Sequence, residues 1–395
     1  MPAVPSPLSP APFPEHSPTS SAPRPMSVLH LLNRFEAGGV SRYVLTLSEA
    51  LSASGHKVIL AGAGGEWSRR FDAGPWRTCS LFLRTGPLGA VDLWRGCSQF
   101  EYILGDEPID LIHAHHRRAS LLGRRLARRR GLPLLFSLHM PLIPLGLPWR
   151  WLSDFGDHTL TASEESRRWL IEAAGLAPDR ISVISHGISP EHFPAADETQ
   201  RLAARRALDL PPGAPVAAFV GRLDALKQPH WVLDVAAAAQ ADLPELRTVI
   251  MGAGPEDASL RQRIEREGLA GRVQMLGMGE PKIVYQACDL LLLPSRVEAF
   301  ALVAAEAMSV GRAVLRTRTG GWRRQIVEHH TGRCVDVRQR AFVDTALAML
   351  QDRPALRRMG VAAAEHARAH LRFDRQLEQT LELYRWLIAD GGAER

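Results

Sequence analysis

Cysteine is scarce: the 395 residues hold only Cys79, Cys97, Cys288 and Cys334, with no CxxC pair. That argues against a disulfide framework or a zinc ribbon and suits a reducing compartment. No apolar run approaches the roughly 20 residues needed to cross a bilayer. Residues 1–25 lack a basic start and an apolar centre, and they hold nine prolines. They read as a disordered tail, not as a secretory signal. The chain has no Asp-x-Asp, the pair that holds a cation on a diphosphate. Gly252 and Gly254 open a G-x-G, but Asp257 stands where the third glycine of a dinucleotide fingerprint belongs, which argues against NAD. His113, His115 and His116 cluster without a carboxylate beside them. Asp110 falls on the opposite face of the same strand candidate, so no metal is expected.

What is present describes a globular protein, 46% hydrophobic and 23% charged. A chain of this length defaults to two domains. The net charge of +6 is locally concentrated, with seven arginines and no acid between Arg117 and Arg130. Ala119, Leu122 and Leu126 fall at helical spacing inside that stretch. It reads either as a basic amphipathic helix on the inner face of a membrane or as a solvated helix face. Nothing points to nucleic acid, and a cytoplasmic location, with or without peripheral membrane contact, is expected.

Short apolar runs alternate with helical patterns, which predicts parallel βαβ units with helices on both faces. Strand candidates are Ser27–Leu32, His56–Ala61, Asp110–Ala114, Leu134–His139, His158–Ala162 and Ile181–Ser185. After a proline-rich stretch at Pro190–Pro215, which reads as a linker region around a polar helix, the alternation restarts. Val216–Val220, Arg247–Met251, Arg272–Leu276, Leu290–Leu293 and Ala313–Arg316 follow, and a helix closes the chain from Asp374 to Ile388. The expected organisation is a tail at 1–25, one doubly wound domain at 26–195, a second at 196–373, and a C-terminal helix at 374–395 packing back on the first. Ligands of open α/β sheets sit at the strand carboxyl ends, so the chemistry belongs in the crevice where the two domains face each other.

Two segments carry that chemistry. In PSRVEAFALVAAEAMSVGRAVLRTRT, from Pro294, a strand runs into a loop with Glu298, and a helix begins near Ala301. The free amides and dipole of a helix start bind anions, so a diphosphate can dock at Phe300, Ala301, Leu302 and Val303. Glu306 would then reach a ribose diol, and Glu298 the sugar end. In Gly221-Arg222-Leu223, followed by Lys227, a bidentate cation and a point charge stand at another strand end, where they can offset a departing diphosphate. Taken singly, Glu298 also reads as a capping acid, Glu306 as a helix-surface acid, and Arg222 and Lys227 as surface residues.

In order along the chain, GRLDALK, the IMGAGPE turn and the Glu298-to-Glu306 segment resemble the donor half of glycosyltransferase family 4. Glu298 and Glu306 match its E-x7-E, and Arg222 and Lys227 its G-R-x(4)-K. Gly38-Gly39 resembles its glycine loop near the donor phosphates, and His139 the histidine that lines its sugar site. Gly252 and Gly254 match its donor-side glycine turn. The resemblance spans about Ser27 to Leu387 and implies a GT-B fold of two Rossmann-like domains. It departs at Ala301, where the family has glycine, and at His186-Gly187, where asparagine commonly precedes the glycine.

The family implies a retaining transfer from a nucleotide-sugar to an acceptor hydroxyl, without metal or other cofactor, in glycan, glycolipid or cell-envelope synthesis. Front-face attack is the implied route, since no carboxylate is placed as a covalent nucleophile. In it Arg222 and Lys227 stabilise the leaving group, Glu298 and His139 face the sugar, and Glu306 holds the ribose. The acceptor, lipid-linked or soluble, has no transferable motif; Glu66–Trp94 and Met140–Trp151 are its candidate loops. Rival readings are a nucleotide-sugar epimerase and a non-catalytic sugar- or partner-binding module of the same architecture.

Overall fold

The structure is a computed structural model that describes residues 24–36, 38–81, 100–140, 145–146 and 153–390. The proline-rich stretch up to residue 23, Cys97, Pro148-Trp149 and much of the two candidate acceptor loops lie outside the described residues.

Two all-parallel sheets form the frame. The first holds β1 (Ser27–Arg34), β2 (Lys57–Ala63), β3 (Arg77–Ser80), β4 (Leu111–Ala114), β5 (Leu134–Leu138), β6 (His158–Thr161) and β7 (Ile181–Val183), ordered β3-β2-β1-β4-β5-β6-β7. The second holds β8 (Val216–Val220), β9 (Arg247–Met251), β10 (Val273–Gly277), β11 (Leu290–Leu293), β12 (Ala313–Thr317) and β13 (Gly332–Val335), ordered β10-β9-β8-β11-β12-β13. Central strands such as LLLL of β11 and VAAFV of β8 are buried along their whole length, because helices cover both faces. The sequence pattern misses β3 and β13. Both are four-residue edge strands, RTCS and GRCV, too short and too polar to show a period.

The strand order reverses between β1 and β4 and again between β8 and β11, which opens a crevice at the carboxyl ends of those four strands. The segments after β1, β8 and β11 carry Gly38-Gly39, Arg222 and Glu298, so all three reach that edge.

The chain passes between the halves twice, side by side. Ile188 N donates to Leu371 O at 2.8 Å and Phe373 N donates to Ile188 O at 3.0 Å. A Cβ on Gly187 would lie 2.2 Å from Arg372 O, so only glycine lets the two crossings touch. The closing helix Phe373–Asp390 then buries Leu383, Tyr384 and Leu387 among Met26, Val28 and Leu160 of the first half.

The stretch 190–215 is more than a linker. Its helix Glu198–Ala207 starts with an Asp197/Gln200 capping box. Arg205, only 1% exposed, donates to Ala287 O, Pro212 O and Ala214 O at 2.9, 2.8 and 2.7 Å and pairs with Asp289 at 2.8 Å. These bonds anchor the segment to the second half.

The basic helix runs over Arg117–Arg130, as its spacing predicts, but Ala119, Leu122 and Leu126 face the core of the first half. Arg124 pairs with Asp154 and Asp157, and Arg129 with Glu101. The apolar stripe that an interfacial helix would insert into lipid is thus already buried in protein. No helix among the described residues is long and apolar enough to cross a membrane.

Candidate active site

Lys227 and Glu298, 71 residues apart, meet at the ends of β8 and β11, with Nζ 2.5 Å from Oε1. Ser295 Oγ donates to the same oxygen at 2.7 Å. The loop bearing Lys227 is tied down by Asp224, whose Oδ1 accepts the Leu226 and Lys227 amides, both at 3.0 Å. Arg222 does not reach Glu298 here: its Nε donates to Asp224 Oδ2 at 2.8 Å and its side chain is 67% exposed. Burial opposes ionisation of Asp224, but Arg222 and the two amides outweigh it and hold the carboxyl below its usual value. Asp224 therefore keeps one cation at the cleft while fixing the loop that carries the other.

Glu306 lies on the helix Leu302–Ser309, 2% exposed, and both carboxylate oxygens have partners. Arg42 Nη1 of the first half donates to Oε1 at 2.8 Å, and the Tyr285 hydroxyl donates to Oε2 at 2.7 Å. This ion pair bridges the cleft. No side chain caps the start of the helix, so its first amides keep the affinity for anions that uncapped helix N-termini have in general. Ala301 has φ −81°, a backbone that alanine adopts without strain, and it is buried in the same core cluster as Phe300 and Ile326. Its carbonyl accepts Gln325 Nε2 at 2.8 Å.

The glycines divide into two kinds. A Cβ on Gly252 would lie 1.8 Å from Gly221 O, and one on Gly254 2.3 Å from Leu223 O. The two loops are laced together by Leu223 N to Ala253 O at 3.0 Å and Glu256 N to Leu223 O at 2.9 Å. Close packing of backbone on backbone explains both residues without a ligand. Around Gly38 and Gly39 an added Cβ would meet no heavy atom within 4 Å among the described residues. Here glycine leaves open space at the end of β1.

His139 follows β5 and joins a group of histidines at the floor of the first half. Its Nε2 lies 3.1 Å from His115 Nδ1, and His115 Nε2 lies 2.9 Å from His30 Nδ1. His113 lies between Tyr384 OH and Ser137 Oγ, both at 2.7 Å. Burial pushes His30 down to about 3, and with neighbouring histidines it drives His113, His115 and His139 well below the usual range. Neutral rings at His30, His113 and His115 lie close enough for one cation. However, every ring nitrogen among them except His30 Nε2 already has a hydrogen-bonding partner. Tyr43 stands edge-on to His139 with centroids 5.1 Å apart, and His186 meets Phe300 of the second half at 5.5 Å.

Sequence reasoning missed Arg42, Tyr43, Asp224, Tyr285, His30 and Glu165. Glu165 spans the cleft to Gly321 N and to Arg323, each at 3.2 Å. Only the placement of Arg42 and Tyr43 one helical turn beyond Gly38-Gly39, and of Asp224 inside GRLDALK, is visible in the sequence. Tyr285, His30 and Glu165 depend on strands and loops far apart in the chain.

A family model described as Glycosyltransferase Family 4 matches residues 37–192, and one described as Glycosyl transferases group 1 matches residues 200–366. A D-inositol 3-phosphate glycosyltransferase of Nocardia farcinica is 30% identical over 375 residues, covering 84% of this chain and 81% of that protein. The chain belongs to glycosyltransferase family 4. D-inositol 3-phosphate glycosyltransferase 2 of Catenulispora acidiphila is 28% identical, over 92% of this family 4 chain and 93% of its own length. In structure, HepE of Anabaena, solved with UDP and glucose, superposes with a TM-score of 0.78 at 20% identity, covering 91% of this chain and 99% of that one. Sucrose-phosphate synthase of Thermosynechococcus elongatus gives 0.77 at 22%, covering 93% and 100%. The fold of this family 4 glycosyltransferase is therefore GT-B, as the sequence resemblance implies.

Proposed function

We propose that this glycosyltransferase moves a sugar from a nucleoside-diphosphate donor to an acceptor hydroxyl with retention of anomeric configuration. The observation that carries the reading is the Lys227–Glu298 pair at the strand ends beside the uncapped helix Leu302–Ser309. A diphosphate placed between that helix start and the open end of β1 meets Lys227 on one side and the space left by Gly38 and Gly39 on the other. Lys227, with Arg222 swinging from Asp224, offsets the charge growing on the leaving diphosphate. These two cations take the part that a divalent ion plays elsewhere, so no metal or other cofactor is assigned. Glu298 orients sugar hydroxyls, His139 contacts the sugar, and Glu306 receives the ribose diol once it exchanges Arg42. Phe300, Ala301 and Leu302 supply backbone around the diphosphate. Gly252 and Gly254 serve the donor indirectly, by letting the Gly221–Leu223 loop close.

HepE has been solved with UDP-glucose, which recommends UDP-sugars as the first donors to try. Thermal-shift screening of nucleotide sugars should show one that raises the melting temperature. Transfer from that donor is then assayed with inositol phosphate, simple glycosides and lipid-linked acceptors, and the anomer is read by NMR. An inverted product would refute retention. Turnover of donor with no acceptor, yielding an isomeric nucleotide sugar, would favour an epimerase instead. Donor binding with neither hydrolysis nor transfer would favour a binding module.

A further inference from the structure

The hydrogen-bonded chain His30–His115–His139 has a consequence for the proton on His139. Burial leaves all three rings neutral at ordinary pH, so each has one N–H and one lone pair. The two contacts, His30 Nδ1 to His115 Nε2 and His115 Nδ1 to His139 Nε2, can then be filled in only two ways. In one, every N–H points toward His139: His30 donates from Nδ1, His115 donates from Nδ1, and His139 carries its proton on Nδ1. In the other, every N–H points toward His30, whose Nε2 then carries the proton.

His30 Nε2 decides between them. It is buried and has no hydrogen-bond partner. The second pattern would leave a buried N–H without an acceptor, the rarer kind of unpaired group, whereas the first leaves only a lone pair. His113 cannot relieve it, since its nitrogens face Tyr384 and Ser137. We infer that His30 and His115 are positioning residues that hold the proton of His139 on Nδ1, making that ring a hydrogen-bond donor toward the cleft. His139 is only partly buried, and its one hydrogen bond among the described residues is made through Nε2, which leaves Nδ1 for a ligand in the cleft. This rests on the proposed contact of His139 with a sugar oxygen. It adds that the contact is a donated bond, and that its polarity is set about two ring widths deeper in the fold.

The test reads the tautomer directly. The full-length protein is labelled with 15N-histidine, and His139 is assigned by its loss in His139→Gln. Long-range 15N–1H spectra should show a protonated Nδ1, although a free neutral histidine favours Nε2–H in water. His30→Leu removes the first donor of the chain and should move His139 toward a mixture of tautomers, with kcat falling roughly tenfold. His30→Gln, whose amide can donate to His115 Nε2, should restore both, and donor KM should change less than kcat. A protonated Nε2 on His139 in the unaltered protein overturns the inference, as does an unchanged His139 spectrum in His30→Leu. Stoichiometric zinc held by the purified protein and lost in His30→Leu also overturns it, because a metal would take the lone pairs that this chain uses. A protonated Nδ1 combined with normal turnover in His139→Gln would refute the sugar contact and leave the tautomer lock standing.

Discussion

Two alanine substitutions separate glycine as packing from glycine as binding space. Gly252→Ala forces a methyl onto Gly221 O and should cost about 2–3 kcal/mol of stability, measured by denaturant unfolding. Gly39→Ala meets open space at the start of the helix Gly39–Ala53 and should leave stability within about 1 kcal/mol. Under the proposed function it nonetheless weakens donor binding, which calorimetry with the best nucleotide sugar can check. If the two variants behaved alike, the division of the glycines would be wrong. Lys227→Ala should lower kcat by roughly 10²–10³-fold with the fold intact by circular dichroism. Near-normal turnover would remove Lys227 from the leaving-group site. Glu298, Glu306, Arg222 and Lys227 were all legible in the sequence, because their spacing within one loop or one helix is a local property. Their partners were not. That Arg222 rests on Asp224 while Lys227 takes Glu298 depends on loop conformations that spacing does not encode.

At the scale of elements, every central strand reads from the sequence, as do the edges β7 and β10, and the two that escaped, β3 and β13, are the remaining edges. β3 and β13 each have a neighbour on one side only, so little apolar sequence is needed to hold them. The basic helix was located correctly from its arginines, but its apolar face could have met lipid or protein equally well. Only the packing of Leu122 and Leu126 against the first sheet decides that. The paired crossings at Ile188 and Arg372 are also sensitive to a single change. Gly187→Ala places a methyl 2.2 Å from Arg372 O, backbone that cannot rotate away. The expected outcome is a loss of about 2–3 kcal/mol and a lower melting temperature. An unchanged melting temperature would mean that the crossings separate at little cost.

At the scale of the whole molecule, acid should unfold this protein earlier than its carboxylates require. His30 is pushed down to about 3, and His116, His158 and His186 to about 4, in each case chiefly by burial. The unfolded chain takes up protons near pH 6.5, which the folded one refuses until these lower values. Stability is therefore fully present above about pH 6.5 and is lost as the pH falls from there toward 4. Carboxyls held below their usual value, such as Asp224, add their own loss only at still lower pH. Urea midpoints should drop between pH 7 and pH 5; a flat profile there would contradict burial of neutral histidines. By itself the sequence determined the two α/β halves, their order and the donor-side motifs, because hydrophobic period and residue spacing are carried within single elements. Tertiary structure alone decided that Arg42 and Glu306 join the halves, that Gly187 is a crossing point, and that four histidines from three segments share one floor. Those contacts arise only when parallel strands, far apart in the chain, bring their carboxyl ends to the same edge.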